Sequence, residues 1–127
     1  MSYITIDEGD ARPIYRQIVE EIKRLIAGGD LKEGAPLPPV RQLAADLGVN
    51  LNTVATAYRE LQAEGLLAIR HGAGATVASS TANDRGAEEL RKPLREALTG
   101  MLLAGLRRGE IMAIVGDELR GLLKGAK

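Results

Sequence analysis

Side chains able to recognise another molecule cluster in one short stretch of the chain. Amide, hydroxyl and guanidinium groups recur there at Asn50, Asn52, Thr53, Thr56 and Arg59. An asparagine amide can pair with N6 and N7 of adenine in the major groove of DNA. Threonine hydroxyls and arginine guanidinium groups can bind phosphate oxygens. The stretch therefore carries groups that could recognise a nucleic acid by hydrogen bonding, if the fold presents them to one.

Each of these side chains also has an ordinary structural alternative. Asn52 can be merely a polar residue in the first turn of a helix. Thr53 and Thr56 can bind phosphate, meet a thymine methyl group or do neither. Arg59 can bind phosphate or pair with a carboxylate, and Arg41 can contact DNA or remain a solvated arginine. The choice depends on the elements that position these residues.

Residue types needed for catalysis or metal binding are scarce. The chain has no cysteine, and His71 is its only histidine, whereas a metal site needs several ligands. Glu20 and Glu21 are neighbours, and adjacent helical side chains diverge by about 100°, so we interpret them as a solvated face. No nucleophile stands beside a base in the pattern. We therefore expect no enzyme activity, no metal site and no cofactor.

Composition favours a helical protein of the cytoplasm. Phenylalanine and tryptophan are absent although 45% of the 127 residues are hydrophobic, so the core must be built from Leu, Ile, Val and Ala. Without cysteine no disulfide can form, and nothing indicates secretion. The sequence shows neither a signal peptide nor an apolar run long enough to span a membrane. We expect a cytoplasmic protein without a membrane partner.

The charge balance argues against simple attraction to DNA. The net charge of the chain is zero, and residues 1–79 carry eight basic and ten acidic residues, a net charge of −2. Any affinity for phosphate must therefore come from the arrangement of charge on one face and from dimerisation.

The polar cluster lies on the second of two helical patterns that meet at a tight turn. The apolar residues that share one face are Leu43, Ala44 and Leu47 in the first helix, over about residues 39–47, and Val54, Tyr58 and Leu61 in the second, over about 51–65. Gly48 suits a left-handed helix end, Val49 can fill the core, and Asn50 is a good N-cap. This is the signature of a helix-turn-helix motif, with the second helix as the recognition helix and Tyr58 in the core.

Neighbouring elements complete a winged helix-turn-helix domain. A helix is predicted from Arg12-Pro13 to Gly28-Gly29, followed by a proline-containing loop over 30–39. Strands are predicted over 66–70 and 75–78, joined by a glycine-rich turn. Directly after a recognition helix, this β-hairpin is a wing whose tip is expected to touch DNA. Residues 3–6 are either a short strand or a strap.

The end of the chain predicts a helical tail. Apolar residues recur at helical spacing over 84–108 and over 110–124, with Gly109 as the break. Pro93 means that the first tail helix is either kinked there or begins there. Two helices this short cannot enclose a core and are too apolar to stay exposed, so we expect them to pack against a second copy.

The predicted fold class is therefore mainly α with a small β-hairpin. A winged helix-turn-helix DNA-binding domain is expected over residues 1–79 and a linker over 80–84. A helical dimerisation region follows over 85–127.

Residues 14–78 resemble the N-terminal domain of the GntR family of bacterial transcription regulators. The residues that carry the resemblance are Gly34 through Leu37, Arg41-Gln42-Leu43-Ala44, Leu47-Gly48-Val49, Thr53-Val54, Tyr58, Leu61, Glu64-Gly65-Leu66 and the glycine-containing wing. The short tail, together with VNLNTVATAYREL in the recognition segment, is similar to the YtrA-like subfamily. Members of that subfamily lack a large ligand-binding domain and dimerise through the tail.

The resemblance implies a set of DNA-binding residues. Family members place the recognition helix in the major groove and the wing tip near the minor groove. The matching residues are Arg41 by helix two, Asn50, Leu51, Asn52 and Thr53 at the start of the recognition helix, and His71 and Gly72 in the wing, with Thr56, Arg59 and Arg70 as further candidates. Many relatives have arginine where this chain has Leu51 and Ala55, so two contacts expected of the family are missing.

We therefore expect a homodimeric transcription regulator, a repressor, that binds a palindromic operator in double-stranded DNA. The alternative is a winged-helix interaction module that does not bind DNA, which the acidic balance and the missing arginines favour. An effector is compatible with the tail, but the sequence does not identify one.

Overall fold

The computed structural model describes residues 4–70, 74–78 and 87–123. Within them, five α-helices and three β-strands follow in the order α1 (Ile14–Ala27), β1 (Pro36–Leu37), α2 (Val40–Leu47), α3 (Leu51–Ala63), β2 (Leu67–Arg70), β3 (Gly74–Val77), α4 (Ala87–Leu103) and α5 (Arg108–Leu123). The predicted fold class, mainly helical with a winged helix-turn-helix, is confirmed.

The core lies where α1 and α2 pack against α3. Because apolar residues recur at helical spacing, each helix turns one continuous face inwards. Side chains with at most 1% exposure include Ile18, Ile22 and Leu25 of α1, Leu43 of α2, and Val54, Tyr58 and Leu61 of α3. Tyr58 is a core residue as predicted; its hydroxyl donates to the Pro38 carbonyl oxygen at 2.7 Å, and burial raises its pKa above the ordinary value.

The turn between α2 and α3 has the local chemistry that the sequence predicts. Gly48 ends α2 with φ 68° and ψ 35°, a left-handed conformation that glycine adopts without steric cost. Val49 is half-buried and packs against the core. The side-chain oxygen of Asn50 accepts a hydrogen bond from the Asn52 N–H at 2.7 Å, so Asn50 is the N-cap of α3.

The wing is part of a three-stranded antiparallel sheet with β3 in the centre. The predicted hairpin is confirmed, with Leu67 opposite Val77 and Arg70 opposite Gly74. The expectation that residues 30–39 form only a loop is wrong, because β1 pairs Pro36 with Thr76 on the other side of β3. Proline is tolerated at this edge of the sheet, where no strand needs its missing N–H.

The segment that precedes α1 is a strap and not a strand over the residues described. Ile4 is buried in the core and Ile6 packs against it. Gln17 of α1 holds the strap: its amide donates to the Asp7 carbonyl oxygen at 3.0 Å and its side-chain oxygen accepts from the Asp7 N–H at 2.8 Å. Gln17 is 3% exposed and its polar atoms are satisfied.

The boundary between the tail helices differs from the prediction. α4 runs from Ala87 through Pro93, so the helix does not begin at this proline. It ends before Gly105, whose φ of 93° forms a left-handed helix end, and not at the expected position near residue 108. Gly109, expected to break the pattern, lies inside α5, because the Glu110 side chain accepts a hydrogen bond from the Arg107 N–H at 2.9 Å and caps the helix there.

α5 contacts α1 within the same chain. A Cβ atom on Gly28, at the end of α1, would lie 2.1 Å from the carbonyl oxygen of Leu122. Ile111 of α5 is 7% exposed. The tail helices were expected to pack against a second copy of the chain, but α5 also packs against α1 of its own chain. Across the described ranges, no helix is long and apolar enough to cross a membrane.

Candidate nucleic-acid interface

Three elements present the residues predicted to bind DNA. Arg41 is the second residue of α2, Leu51 is the first residue of α3, and Arg70 is the last residue of β2. The exposed members of the predicted set are Arg41, Asn50, Leu51, Asn52, Arg59 and Arg70, while Thr53 and Thr56 are half-buried. His71 and Gly72 lie outside the described residues.

Asn50 and Asn52 differ in the hydrogen-bonding groups that their side chains leave available for another molecule. The Asn50 oxygen accepts one hydrogen bond in capping α3, so the NH₂ group is the part of its amide that is wholly available to another partner. The Asn52 amide makes no hydrogen bond within the described part of the chain and keeps both a donor and an acceptor. Asn52 is therefore the better equipped of the two for bidentate pairing with a base.

Arg59 is held by a neighbour on its own helix. Its Nη2 donates to Thr56 Oγ1 at 3.3 Å, one turn earlier in α3. No carboxylate among the described residues pairs with Arg59, and its binding to phosphate stays a prediction. The remaining N–H groups of the guanidinium are available for an anion, and the Thr56 hydroxyl is adjacent to them.

Thr53 lies on a different side of α3. It shares that side with Glu60, because residues seven apart on a helix point in nearly the same direction. Glu60 faces α1, where it pairs with Arg16. Thr53 is therefore less openly presented than Asn52 or Arg59.

Two ion pairs hold the recognition helix against α1. Arg16 donates to Glu60 through both terminal nitrogens, at 2.6 and 3.1 Å, and Lys23 Nζ lies 2.8 Å from Glu64. The hydrogen bonds that Arg16 donates to Glu60 raise the pKa of the Arg16 guanidinium, which also lies 5.2 Å from the centre of the Tyr15 ring. These pairs bridge the two helices beside the apolar core that packs α1 against α3.

These contacts between α1 and α3 were not predicted from the sequence, where Glu60 and Glu64 were interpreted only as negative charge that opposes DNA binding. The sequence does contain the spacing that such pairing needs. Glu60 and Glu64 lie one turn apart at the end of α3, and Arg16 and Lys23 lie two turns apart on α1. Their pairing joins distant parts of the chain, so spacing within each helix could not reveal it alone.

The ion pairs show where the positive charge of the DNA-binding domain is compensated and where it is not. Four basic residues of α1 and its approach are matched with carboxylates, in the pairs Arg12–Asp10, Arg12–Glu20, Arg16–Glu60, Lys23–Glu64 and Arg24–Glu21. Hydrogen bonds from Arg12 lower the pKa of Asp10 to about 2. By contrast, Arg41, Arg59 and Arg70 pair with no carboxylate in the described ranges. The uncompensated cations therefore include all the arginines that the sequence assigns to DNA.

Metal binding has no structural basis in the described ranges. No group of His, Cys, Asp and Glu side chains there is arranged to hold a metal ion.

Comparison with known proteins matches the helix-turn-helix domain to a family of regulators. The family profile for bacterial regulatory proteins of the gntR family matches residues 14–77. The HTH-type transcriptional repressor YtrA of Bacillus subtilis is 32% identical over 127 residues, which cover 98% of this chain and 97% of the repressor.

Two solved structures extend the comparison. A transcriptional antiterminator from Listeria monocytogenes EGD-e is similar with a TM-score of 0.80 and 30% identity, over 94% of this chain and 91% of that chain. The structure of AraR(DBD) in complex with operator ORX1 has a TM-score of 0.51 and 32% identity, over 57% of this chain and 87% of that chain.

The matched family consists of regulatory proteins, which confirms the expectation that the chain is not an enzyme. The family profile spans α1 through β3, the elements that carry Arg41, Arg59, Arg70 and Asn52. The chain belongs to the GntR family of bacterial regulatory proteins, as a YtrA-like, DNA-binding transcription regulator.

Proposed function

We propose that the chain is a homodimeric repressor that binds a palindromic operator, with α3 in the major groove and the wing near the minor groove. The observation that carries the proposal is the distribution of unpaired groups: Arg41, Asn52, Arg59 and Arg70 are exposed and have no carboxylate partner among the residues that the structure describes. The name of the Bacillus relative supports repression. We place this activity in the cytoplasm, where bacterial DNA lies.

The residues divide by the contact that each is suited to make. Arg41 and the Thr56–Arg59 pair suit phosphate, and Asn52 suits a base edge. Asn50 acts through the cap of α3, with its NH₂ group as an added donor. Thr53 is a further candidate contact to DNA, at the side of α3. Arg70 and the wing residues His71 and Gly72 suit the sugar-phosphate backbone beside the minor groove.

The tail supports dimerisation through residues 85–127. Its large apolar side chains with at least 40% exposure are Leu90, Leu94, Leu102, Leu103, Met112, Leu119, Leu122 and Leu123. An apolar surface of this extent is characteristic of a protein interface, and a two-fold axis buries the same patch of both copies. The chain then divides into a DNA-binding domain over 1–79, a linker over 80–84 and this dimerisation region.

A two-fold dimer presents two copies of α3 to DNA. Half-sites separated by about 34–36 Å, or a multiple of that distance, match such a dimer. A small-molecule effector, if the protein has one, would act at the dimer interface by favouring one separation of the two copies of α3.

Two measurements test the proposal. Sedimentation at micromolar concentration should show two chains, and a monomer would contradict the dimer. Selection of binding sites from random double-stranded DNA should enrich an inverted repeat. Failure to enrich any sequence would favour the alternative, a winged-helix interaction module without DNA binding.

A further inference from the structure

The start of α3 lacks the side chains that read guanine. Arg59 is the only basic residue of the helix, and the turns that precede it contain neither arginine nor lysine. Arginine and lysine are the residues that bind O6 and N7 of guanine in the major groove. The N-terminal end of α3, which the proposed function places in the major groove, therefore has no side chain of the type that usually binds guanine.

An apolar side chain occupies this position instead. Leu51, the first residue of α3, is 42% exposed and does not belong to the hydrophobic core. Ala55, half-buried, follows one turn later on the same side of the helix. A single exposed leucine is ordinary on a protein surface. Leu51, however, lies between the capping Asn50 and the unbonded amide of Asn52.

The two chemistries suit one type of base pair. Thymine carries the only methyl group that an unmodified base presents in the major groove, and its partner adenine presents N6 and N7 to an asparagine amide. We propose that α3 reads A·T base pairs, with Leu51 against the 5-methyl group of a thymine and Asn52 pairing with adenine. The inference rests on the proposed function, which places α3 in the major groove.

Removal of single methyl groups from the DNA tests the contact. The full chain is first used to select binding sites from random DNA, and each thymine of the selected half-site is then replaced by deoxyuridine. Burial of one methyl-sized group contributes about 0.8 kcal/mol, which corresponds to about fourfold in affinity per half-site. We expect such a loss at the position that faces Leu51, measured by fluorescence anisotropy.

Variants of the protein assign the effect to Leu51. Leu51→Ala should bind the thymine and deoxyuridine sites equally at that position, and circular dichroism should be unchanged because Leu51 is not a core residue. Leu51→Arg should shift the selected base at that position to guanine. Gln62→Ala, a change at another exposed residue of α3, is the matched control and should retain the full sensitivity to the methyl group.

The outcomes separate the inference from the proposed function. Equal affinity for thymine and deoxyuridine at every position would overturn the inference while leaving DNA binding intact. An unchanged deoxyuridine loss in Leu51→Ala, or G·C pairs throughout the selected half-site, would also overturn it. If no DNA sequence is enriched in the first step, the proposed function fails and the inference with it.

Discussion

Gly28 is the residue at which the contact between the tail and the DNA-binding domain can be tested most directly. Its φ of −82° and ψ of −5° are accessible to any amino acid, so the backbone conformation does not require glycine. The requirement comes from the surroundings, because an added Cβ would lie 2.1 Å from the Leu122 carbonyl oxygen and 3.2 Å from that of Arg24. Both atoms belong to the backbone and cannot rotate away.

The cost of Gly28→Ala follows from these distances. Carbon–oxygen contacts are ordinarily about 3.3–3.6 Å, so the end of α5 must withdraw by more than about 1 Å. Overpacking of this kind costs about 1–3 kcal/mol. The lower entropy of the unfolded alanine chain offsets about 0.4–1 kcal/mol. We expect a net loss of about 0.5–2 kcal/mol in the free energy of unfolding.

Urea denaturation at one fixed protein concentration measures this loss. Gly121→Ala is the matched control, because its Cβ would meet no atom within 4 Å and alanine favours the helix. The control should be stabilised by about 0.5–1 kcal/mol. Hydrogen exchange should accelerate at the end of α5 in Gly28→Ala alone. Equal stabilisation of both variants would refute the contact between α1 and α5.

Four further experiments test the candidate interface and the helices that support it. Arg41→Ala should weaken operator binding by about 1–3 kcal/mol without altering circular dichroism, and a negligible loss at physiological salt would exclude a contact. Asn52→Ala should relax the preference at one base position of each half-site in repeated site selection, whereas a uniform loss across sequences would indicate a role with the backbone only. A double-mutant cycle of Arg16→Gln and Glu60→Gln should give a coupling of about 0.5–1 kcal/mol in urea denaturation, since both side chains are about one-third exposed; a coupling of zero would mean that the pair does not stabilise the contact between α1 and α3. The raised pKa of Tyr58 means that its stabilisation is fully present below pH about 10 and is lost as the pH rises further, so Tyr58→Phe should flatten the alkaline decline in stability.

The helix-turn-helix was predictable because its signals are local. The alternation of buried and exposed residues along α3 follows directly from helical spacing, which placed Tyr58 in the core. Gly48 and Asn50 act on neighbours within a few residues, so their roles as helix end and N-cap could be predicted from the sequence. The identity of the candidate DNA-binding residues came from the same local pattern and from the family resemblance.

Features that depend on distant partners were not predictable in this way. Pro36 carries no strand signal, and its pairing with Thr76 exists only because the wing folds back along it. The boundary between α4 and α5 was misplaced because two glycines compete for it. Gly105 ends α4 by its left-handed conformation, while the Glu110 side chain fixes the start of α5 ahead of Gly109.

α1 is the element through which the tail and the recognition helix meet. Its last turn is followed by Gly28, against which the Leu122 carbonyl oxygen of α5 lies. Its other side holds α3 through the pair of Arg16 with Glu60. A displacement of α5 therefore acts on the same helix that packs against α3. Because α1 is a packed helix with a continuous buried face, we expect it to move as one unit when α5 is displaced. In the proposed dimer formed through the tail, we expect this arrangement to link the separation of the two chains to the direction in which each recognition helix points.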